Sequence, residues 1–176
     1  MVKYILGTGA PGSRWSGFLD ETFYSRPDVD TSDQSPEREY WKGNTLMHRG
    51  AYFDPGMEFG NFPEDWDKPF SGNGYRLIKS HTFAFMLNYL TRQRNVEQIW
   101  MIHRPDNECY EWWHEAGGWD ITYPNYRNYY FDNDGIRQQI KLQNQHILKF
   151  AKEKNLIPQH DGDRTIYRWN NQHEIG

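Results

Sequence analysis

The sequence predicts an α/β protein whose central parallel sheet is covered by helices. Three short apolar runs rich in strand-forming residues lie at residues 2–6, 75–79 and 96–102. Each run is followed by a turn and then by a segment with apolar residues at helical spacing. Consecutive strand–helix units join parallel strands, so we expect the three runs to share one sheet with their carboxyl ends together.

Composition limits the classes of protein that the chain can belong to. Its 176 residues predict a single domain over residues 1–176, and the aromatic content of 17% predicts an aromatic core or pocket. A net charge of −4 argues against a nucleic-acid partner. The single cysteine, Cys109, fits a reducing compartment, and no apolar run reaches the roughly 18 residues of a membrane span. We therefore expect a soluble, cytoplasmic protein without a membrane span.

The first strand runs directly into a glycine-rich loop and a helix predicted over residues 14–25. Gly7 and Gly12 fit the G-x-x-x-x-G frame of a phosphate loop, although Ser13 and Arg14 stand where that motif has Lys and Ser or Thr. The unpaired N–H groups at the start of a helix suit phosphate oxygens. The alternative is a glycine-rich turn without a ligand, in which Ser13 and Ser16 only cap the helix.

Two segments between the first and second strands have turn-forming composition. Residues 26–36 are polar and acidic, which predicts a surface loop. Residues 37–74 interleave glycine, proline and aromatic residues. An irregular stretch of this length either binds substrate or covers the sheet, and the sequence leaves both interpretations open.

The remaining elements follow from helical spacing, caps and turn residues. Further helices are predicted over residues 83–92, from Pro105 onwards and over residues 134–154, the last capped by Asp134. An aromatic loop is predicted over residues 117–133. Asp161 and Gly162 predict the turn of a terminal hairpin.

Cationic side chains follow the second and third strands. Lys79, Ser80 and His81 end the second strand, and His103 and Arg104 end the third. Ligands of open α/β sheets bind outside the carboxyl ends of the strands, so these residues and the glycine loop should converge on one crevice. Neither strand ends in an acidic residue and the loop lacks a lysine, which favours an anion held without a metal ion.

Three motifs, in their order along the chain, resemble those of the sulfotransferase family. They are Pro11-Gly12-Ser13 in the loop, Lys79-Ser80-His81 at a strand end and Arg104-Pro105 after a buried strand. The resemblance covers about residues 2–116. It implies a three-layer P-loop-type fold, 3′-phosphoadenosine 5′-phosphosulfate as donor co-substrate and no metal. The acceptor would be a hydroxyl of a small molecule or carbohydrate.

The resemblance also implies a role for each matched residue. His81 would be the general base for the acceptor hydroxyl, and Lys79 would offset charge on the leaving phosphate. Arg104 would bind the 3′-phosphate of the donor. The remaining donor-binding residues would be those of the loop and the first helical turn, namely Gly9, Pro11, Gly12, Ser13, Arg14, Trp15 and Ser16.

Each of these residues also has a purely structural interpretation. His81 could satisfy a strand end, Lys79 could be a solvated lysine, and Arg104 could form a surface ion pair. Where the family loop continues Lys/Arg-Ser-Gly-Thr-Thr, this chain has Gly12-Ser13-Arg14-Trp15-Ser16. A non-catalytic nucleotide- or anion-binding module is therefore the alternative function. A P-loop kinase is a third possibility, disfavoured by the missing loop lysine and acidic metal ligand.

Overall fold

The computed structural model describes residues 2–48 and 58–171. Within these residues the strands are, in chain order, β1 Lys3–Gly9, β2 Val29–Asp30, β3 Tyr40–Lys42, β4 Thr45–His48, β5 Tyr75–Lys79, β6 Val96–His103, β7 Gln159–Asp161 and β8 Arg164–Asn170. The α-helices are α1 Trp15–Phe23, α2 Leu87–Leu90, α3 Asp106–Glu115 and α4 Asn133–Glu153. In this part of the chain, no helix combines the length and the apolar character that a membrane crossing requires.

Six strands form one sheet in the order β2-β5-β1-β6-β8-β7, while β3 and β4 form a separate antiparallel hairpin. Strand β1 pairs in parallel with both β5 and β6, and β2 pairs in parallel with β5. The predicted α/β class and the parallel arrangement of the three main strands are therefore confirmed. The last two strands depart from the parallel pattern of the rest of the sheet. Strand β8 runs antiparallel to β6, and β7 runs antiparallel to β8.

Alternating side chains of the central strands build a core on each face of the sheet. Ile5 of β1 packs with Leu19 and Phe23 of α1 on one face. The next residue, Leu6, packs on the other face with a cluster that includes Ile147 and Phe150 of α4. This alternation is the two-residue period of a strand, and it places helices on both sides of the sheet.

A third apolar cluster contains aromatic residues from α3 and from the irregular segments on either side of it. Phe59, Trp113 and Tyr126 are buried at its centre, and Phe59 stacks on Tyr129 with ring centroids 3.7 Å apart. The aromatic core expected from composition is found in all three clusters, and this one lies beside the glycine loop. Phe59, Ile121 and Tyr126 thus anchor these two irregular segments on α3 and α4, although Phe131 is exposed.

Two segments predicted to be loops contain short strands that the sequence pattern does not predict. Residues 29 and 30 of the predicted surface loop form β2, and Asp30, Asp33 and Ser35 are buried. Within residues 37–74, β3 and β4 form a short hairpin. The two-residue length of β2 is too short for an alternating pattern to be detectable.

Two predicted helices begin or end elsewhere. Asp132, and not Asp134, caps α4, because its carboxylate accepts a hydrogen bond of 2.8 Å from the N–H of Gly135. The helix predicted over residues 83–92 is a tight 3₁₀ segment, His81–Phe85, followed by the short α2. Met86 interrupts the two with φ −135° and ψ 27°, which is not a helical conformation.

Candidate functional site

The carboxyl ends of β1, β5 and β6 lie side by side. In the register of the sheet, Gly7 of β1 is opposite both Lys79 of β5 and Trp100 of β6. From β1 the chain continues toward β2 and β5 on one side, and from β6 it continues toward β8 and β7 on the other. Ligands of open α/β sheets bind at such a reversal of strand order, and the glycine loop lies at this point.

The glycine loop is packed tightly against α3. A Cβ atom at Gly12 would lie 1.7 Å from the carbonyl oxygen of Cys109, and Gly12 has φ 81°. Arg14 follows with φ 63°, a left-handed conformation that is uncommon for a residue other than glycine, and α1 begins at the next residue. The loop therefore turns sharply so that the first N–H groups of α1, which have no acceptor inside the helix, lie beside the loop.

Ser13 lies inside this turn. It is fully buried, and its N–H donates to the carbonyl of Ala10 at 3.0 Å. Its hydroxyl oxygen has no hydrogen-bond partner among the residues that the structure describes. A Cβ atom at Gly9 would lie 2.6 Å from the same hydroxyl oxygen, so Ser13 faces the inner side of the loop.

Lys79 is the centre of a buried group of charges. Its ammonium donates to Asp20 of α1 at 2.9 Å and to the hydroxyl of Ser16 at 3.1 Å, and it lies 4.0 Å from Glu58. Burial alone would lower the pKa of Lys79, but the charges of Asp20 and Glu58 outweigh that effect and raise it. Lys79 therefore remains charged at neutral pH. The alternative that it is a lysine exposed to solvent at the strand end is wrong, because it is buried.

Asp33 adds a further carboxyl group to the surroundings of Lys79. It is 1% exposed, and the hydroxyl of Tyr24 donates to it at 3.1 Å. Burial raises the pKa of Asp33 to about 6, although the charge of Lys79 acts in the opposite direction. The group is consequently protonated in part near neutral pH.

His81 is enclosed on all sides. Its Nδ1 lies 2.7 Å from the carbonyl oxygen of Gly9, and since a carbonyl only accepts, Nδ1 carries the proton in this contact. Its Nε2 lies 3.1 Å from the hydroxyl of Tyr126 and 3.8 Å from the carboxylate of Glu58. The ring links the end of β1 to the aromatic cluster and is itself fully buried.

A cavity of about 100 Å³ opens beside the loop and α1. Its polar walls come from Arg14, Ser16 and Glu58, and the hydroxyl-bearing ring of Tyr126 forms another part of it. The remaining wall is largely apolar and aromatic and includes Trp15, Tyr40, Met47, Trp112, Trp113, Ile121 and Pro124. Lys79 and His81 lie behind this wall, each in contact with a residue that belongs to it.

Arg104 contacts the outer side of the loop. Its guanidinium donates to the carbonyl of Gly12 at 3.1 Å and to Asp163 at 2.6 Å. This guanidinium and that of Arg14 both lie over the ring of Trp112, at 5.9 Å and 5.1 Å from its centroid. Arg104 thus forms an ion pair with Asp163, as expected if its role is structural, and it also supports the loop.

The structure brings all the predicted site residues to one edge of the sheet, but not all to one open surface. Arg14, Trp15, Ser16 and Gly12 line the cavity, while Pro11 and Ser13 are buried in the turn. Sequence reasoning missed Asp20, Glu58 and Tyr126, which contact Lys79 or His81. The acidic Asp20 on the buried face of α1 was a detectable signal, whereas Glu58 and Tyr126 come from irregular segments without one.

We expect Gly12→Ala to destabilise the protein by roughly 2–4 kcal/mol, because the new methyl group meets the backbone of α3 and the positive φ is strained. Gly17→Ala is the matched control, since no atom lies within 4 Å of a Cβ at that position of α1. In a helix this substitution is expected to stabilise by up to about 1 kcal/mol. Urea unfolding of both variants measures the difference, and equal stabilities would contradict the close packing of Gly12 on α3.

Asp33→Asn should change the pH dependence of stability. The folded protein holds the Asp33 proton more tightly than the unfolded chain, so this stabilisation is present below the ordinary pKa of 3.8 and is lost as pH rises through about 6. Asparagine resembles the protonated acid and does not titrate. Relative to the parent, the variant should gain about 2 kcal/mol between about pH 4.5 and about pH 7.5.

Urea unfolding at both pH values tests this expectation, with Asp120→Asn at an exposed position as the control. A difference between the Asp33→Asn variant and the parent that stays constant with pH would show that Asp33 titrates normally.

Comparison with known proteins does not assign a family to the chain. No protein-family model, no curated protein and no solved structure matches the chain.

Proposed function

We propose that the protein is a sulfotransferase that moves a sulfuryl group from 3′-phosphoadenosine 5′-phosphosulfate to a hydroxyl acceptor. The observation that carries the proposal is the convergence of the glycine loop, Lys79, His81 and Arg104 at one sheet edge beside a cavity. The proposal includes a P-loop-type fold. The mostly parallel sheet, with a glycine loop between β1 and α1, supports it.

The 5′-phosphate of the donor would bind at the loop and the start of α1. Free N–H groups at a helix N-terminus favour an anion, and the buried hydroxyl of Ser13 faces the inner side of the same turn. Ser16 and Arg14 line the cavity next to it. Lys79 reaches this region through Ser16 and would offset charge on the departing phosphate oxygen.

The acceptor would enter the aromatic cavity, where Glu58 is the carboxylate in the wall. In the proposed step the acceptor oxygen attacks sulfur, the bond from sulfur to the bridging phosphate oxygen breaks, and its electron pair leaves with the phosphate. The acceptor proton passes to the pair formed by Glu58 and His81, whose nearest atoms are 3.8 Å apart. Both residues are buried, but Glu58 lines the cavity while His81 lies behind Tyr126, so Glu58 would be the member of the pair that meets the acceptor.

The 3′-phosphate would bind near Arg104, whose side chain is 13% exposed. Its contact with Asp163 occupies part of the guanidinium, which has five N–H donors in total. A donor phosphate at this position would compete with the Asp163 carboxylate for the N–H donors of the Arg104 guanidinium. Donor affinity should therefore be set by this exchange of partners.

One observation favours a second candidate, a non-catalytic anion-binding module. The charge of Lys79 is already balanced by Asp20 and Glu58, and that of Arg104 by Asp163. Positive charges matched in this way attract an incoming phosphate less than free charges do. A module that binds a nucleotide through the loop alone, without transfer, would use the same fold.

Calorimetry with adenosine 3′,5′-bisphosphate, compared with ATP and Mg²⁺, tests the donor site. We expect the bisphosphate to bind, the 5′-monophosphate to bind about tenfold more weakly or worse, and ATP with Mg²⁺ not to compete. Binding of ATP with Mg²⁺ in place of the bisphosphate would instead support a kinase.

A transfer assay with labelled donor and a panel of phenols, sugars and other alcohols separates the enzyme from the binding module. Glu58→Gln and His81→Gln should each lower transfer by roughly 10²–10⁴-fold. Bisphosphate affinity should be retained in Glu58→Gln, whereas His81→Gln also removes the contact with the carbonyl of Gly9 in the loop and should weaken it. Glu64→Gln, at an exposed position, is the control for Glu58→Gln. Bisphosphate binding without transfer to any acceptor would favour the binding module.

A further inference from the structure

The terminal hairpin β7–β8 reaches the glycine loop through a second arginine. Arg164 begins β8, and its guanidinium donates to the carbonyl of Arg14 at 3.2 Å. The same guanidinium pairs with Asp161, its partner across the hairpin, and lies over the ring of Phe18 at 5.6 Å from the centroid. Only 13% of the Arg164 side chain is exposed.

Arg104 makes an equivalent contact two residues earlier in the loop, on the carbonyl of Gly12. Asp163, in the turn of the hairpin, accepts from Arg104. The hairpin therefore holds two loop carbonyls, one directly through Arg164 and one indirectly through Arg104. A peptide carbonyl and the N–H of the same peptide unit point in opposite directions, so fixing the carbonyl of Arg14 also fixes the N–H of Trp15, the first residue of α1.

Arg14, the residue whose carbonyl Arg164 holds, has a strained backbone conformation. Arg14 adopts φ 63°, a conformation that costs a non-glycine residue energy and persists only where the surroundings enforce it. Its carbonyl accepts from Arg164 and, at 3.3 Å, from the N–H of Phe18 in α1, and its guanidinium lies over the ring of Trp112. Of these contacts, the one from Arg164 is the contact that comes from outside the loop and its two flanking helices, so its loss would weaken the restraint on the left-handed conformation.

We infer that Arg164 is a positioning residue. It holds Arg14 in the left-handed conformation and so keeps the start of α1 in the geometry that binds an anion. Its effect on ligand affinity rests on the proposed function, whereas its effect on the loop does not. The antiparallel hairpin thereby acts as a support for the glycine loop.

The test compares Arg164→Ala with Arg168→Ala, which removes an exposed arginine of the same strand. Hydrogen exchange of the amides of residues 9–17 measures loop order, and calorimetry measures the affinity for adenosine 3′,5′-bisphosphate. We expect Arg164→Ala to speed loop exchange and to weaken affinity about tenfold, with Arg168→Ala like the parent. Arg164→Lys, which keeps the charge but has a single donor nitrogen, should give an intermediate result and is the milder variant if Arg164→Ala is poorly folded.

A rescue distinguishes this role from a general loss of stability. Glycine adopts φ 63° without cost, so in an Arg14→Gly background Arg164→Ala should change loop exchange and affinity by less than about threefold. Loop exchange in Arg164→Ala that matches Arg168→Ala would overturn the inference, as would faster exchange with unchanged affinity. If the parent binds no nucleotide, the proposed function fails, and exchange with its glycine rescue alone decides whether Arg164 holds the loop.

Discussion

The carboxyl edge of the sheet is organised by the need to match the buried charge of Lys79. Its side chain is 5% exposed, and Asp20 and Glu58 bring α1 and the segment at residue 58 to the end of β5. Removing one partner of such a buried pair typically costs about 3–5 kcal/mol, because the other charge is left unmatched in a poorly polarisable environment. The position of α1, and with it the end of the glycine loop, is therefore coupled to this ion pair.

The glycine loop is held from both sides. Inside, Gly12 packs against the backbone of α3 and His81 contacts the carbonyl of Gly9. Outside, Arg104, which follows β6, and Arg164 of β8 donate to its carbonyls. A loop fixed at this many points loses little conformational entropy when a ligand binds, which is the usual property of a preorganised site. The cavity beside it is lined by aromatic rings that are themselves packed on α3.

The sequence predicted the elements whose signal is local. Apolar runs identified β1, β5 and β6, and the rule that ligands lie beyond strand ends placed Lys79, His81 and Arg104 together. It could not supply partners that are distant in the chain, such as Glu58 for His81 or Asp163 for Arg104, since nothing at those positions marks a long-range contact. It also missed β2, because a strand of two residues has no detectable period.

The most direct test of the account is a crystal structure of the protein with adenosine 3′,5′-bisphosphate. The account predicts the 5′-phosphate in the turn formed by Gly9 to Ser16, with oxygens about 3 Å from the first N–H groups of α1 and from the hydroxyl of Ser13. It also predicts the 3′-phosphate beside Arg104. A bisphosphate bound elsewhere, with no phosphate oxygen within hydrogen-bond distance of the turn, would contradict it.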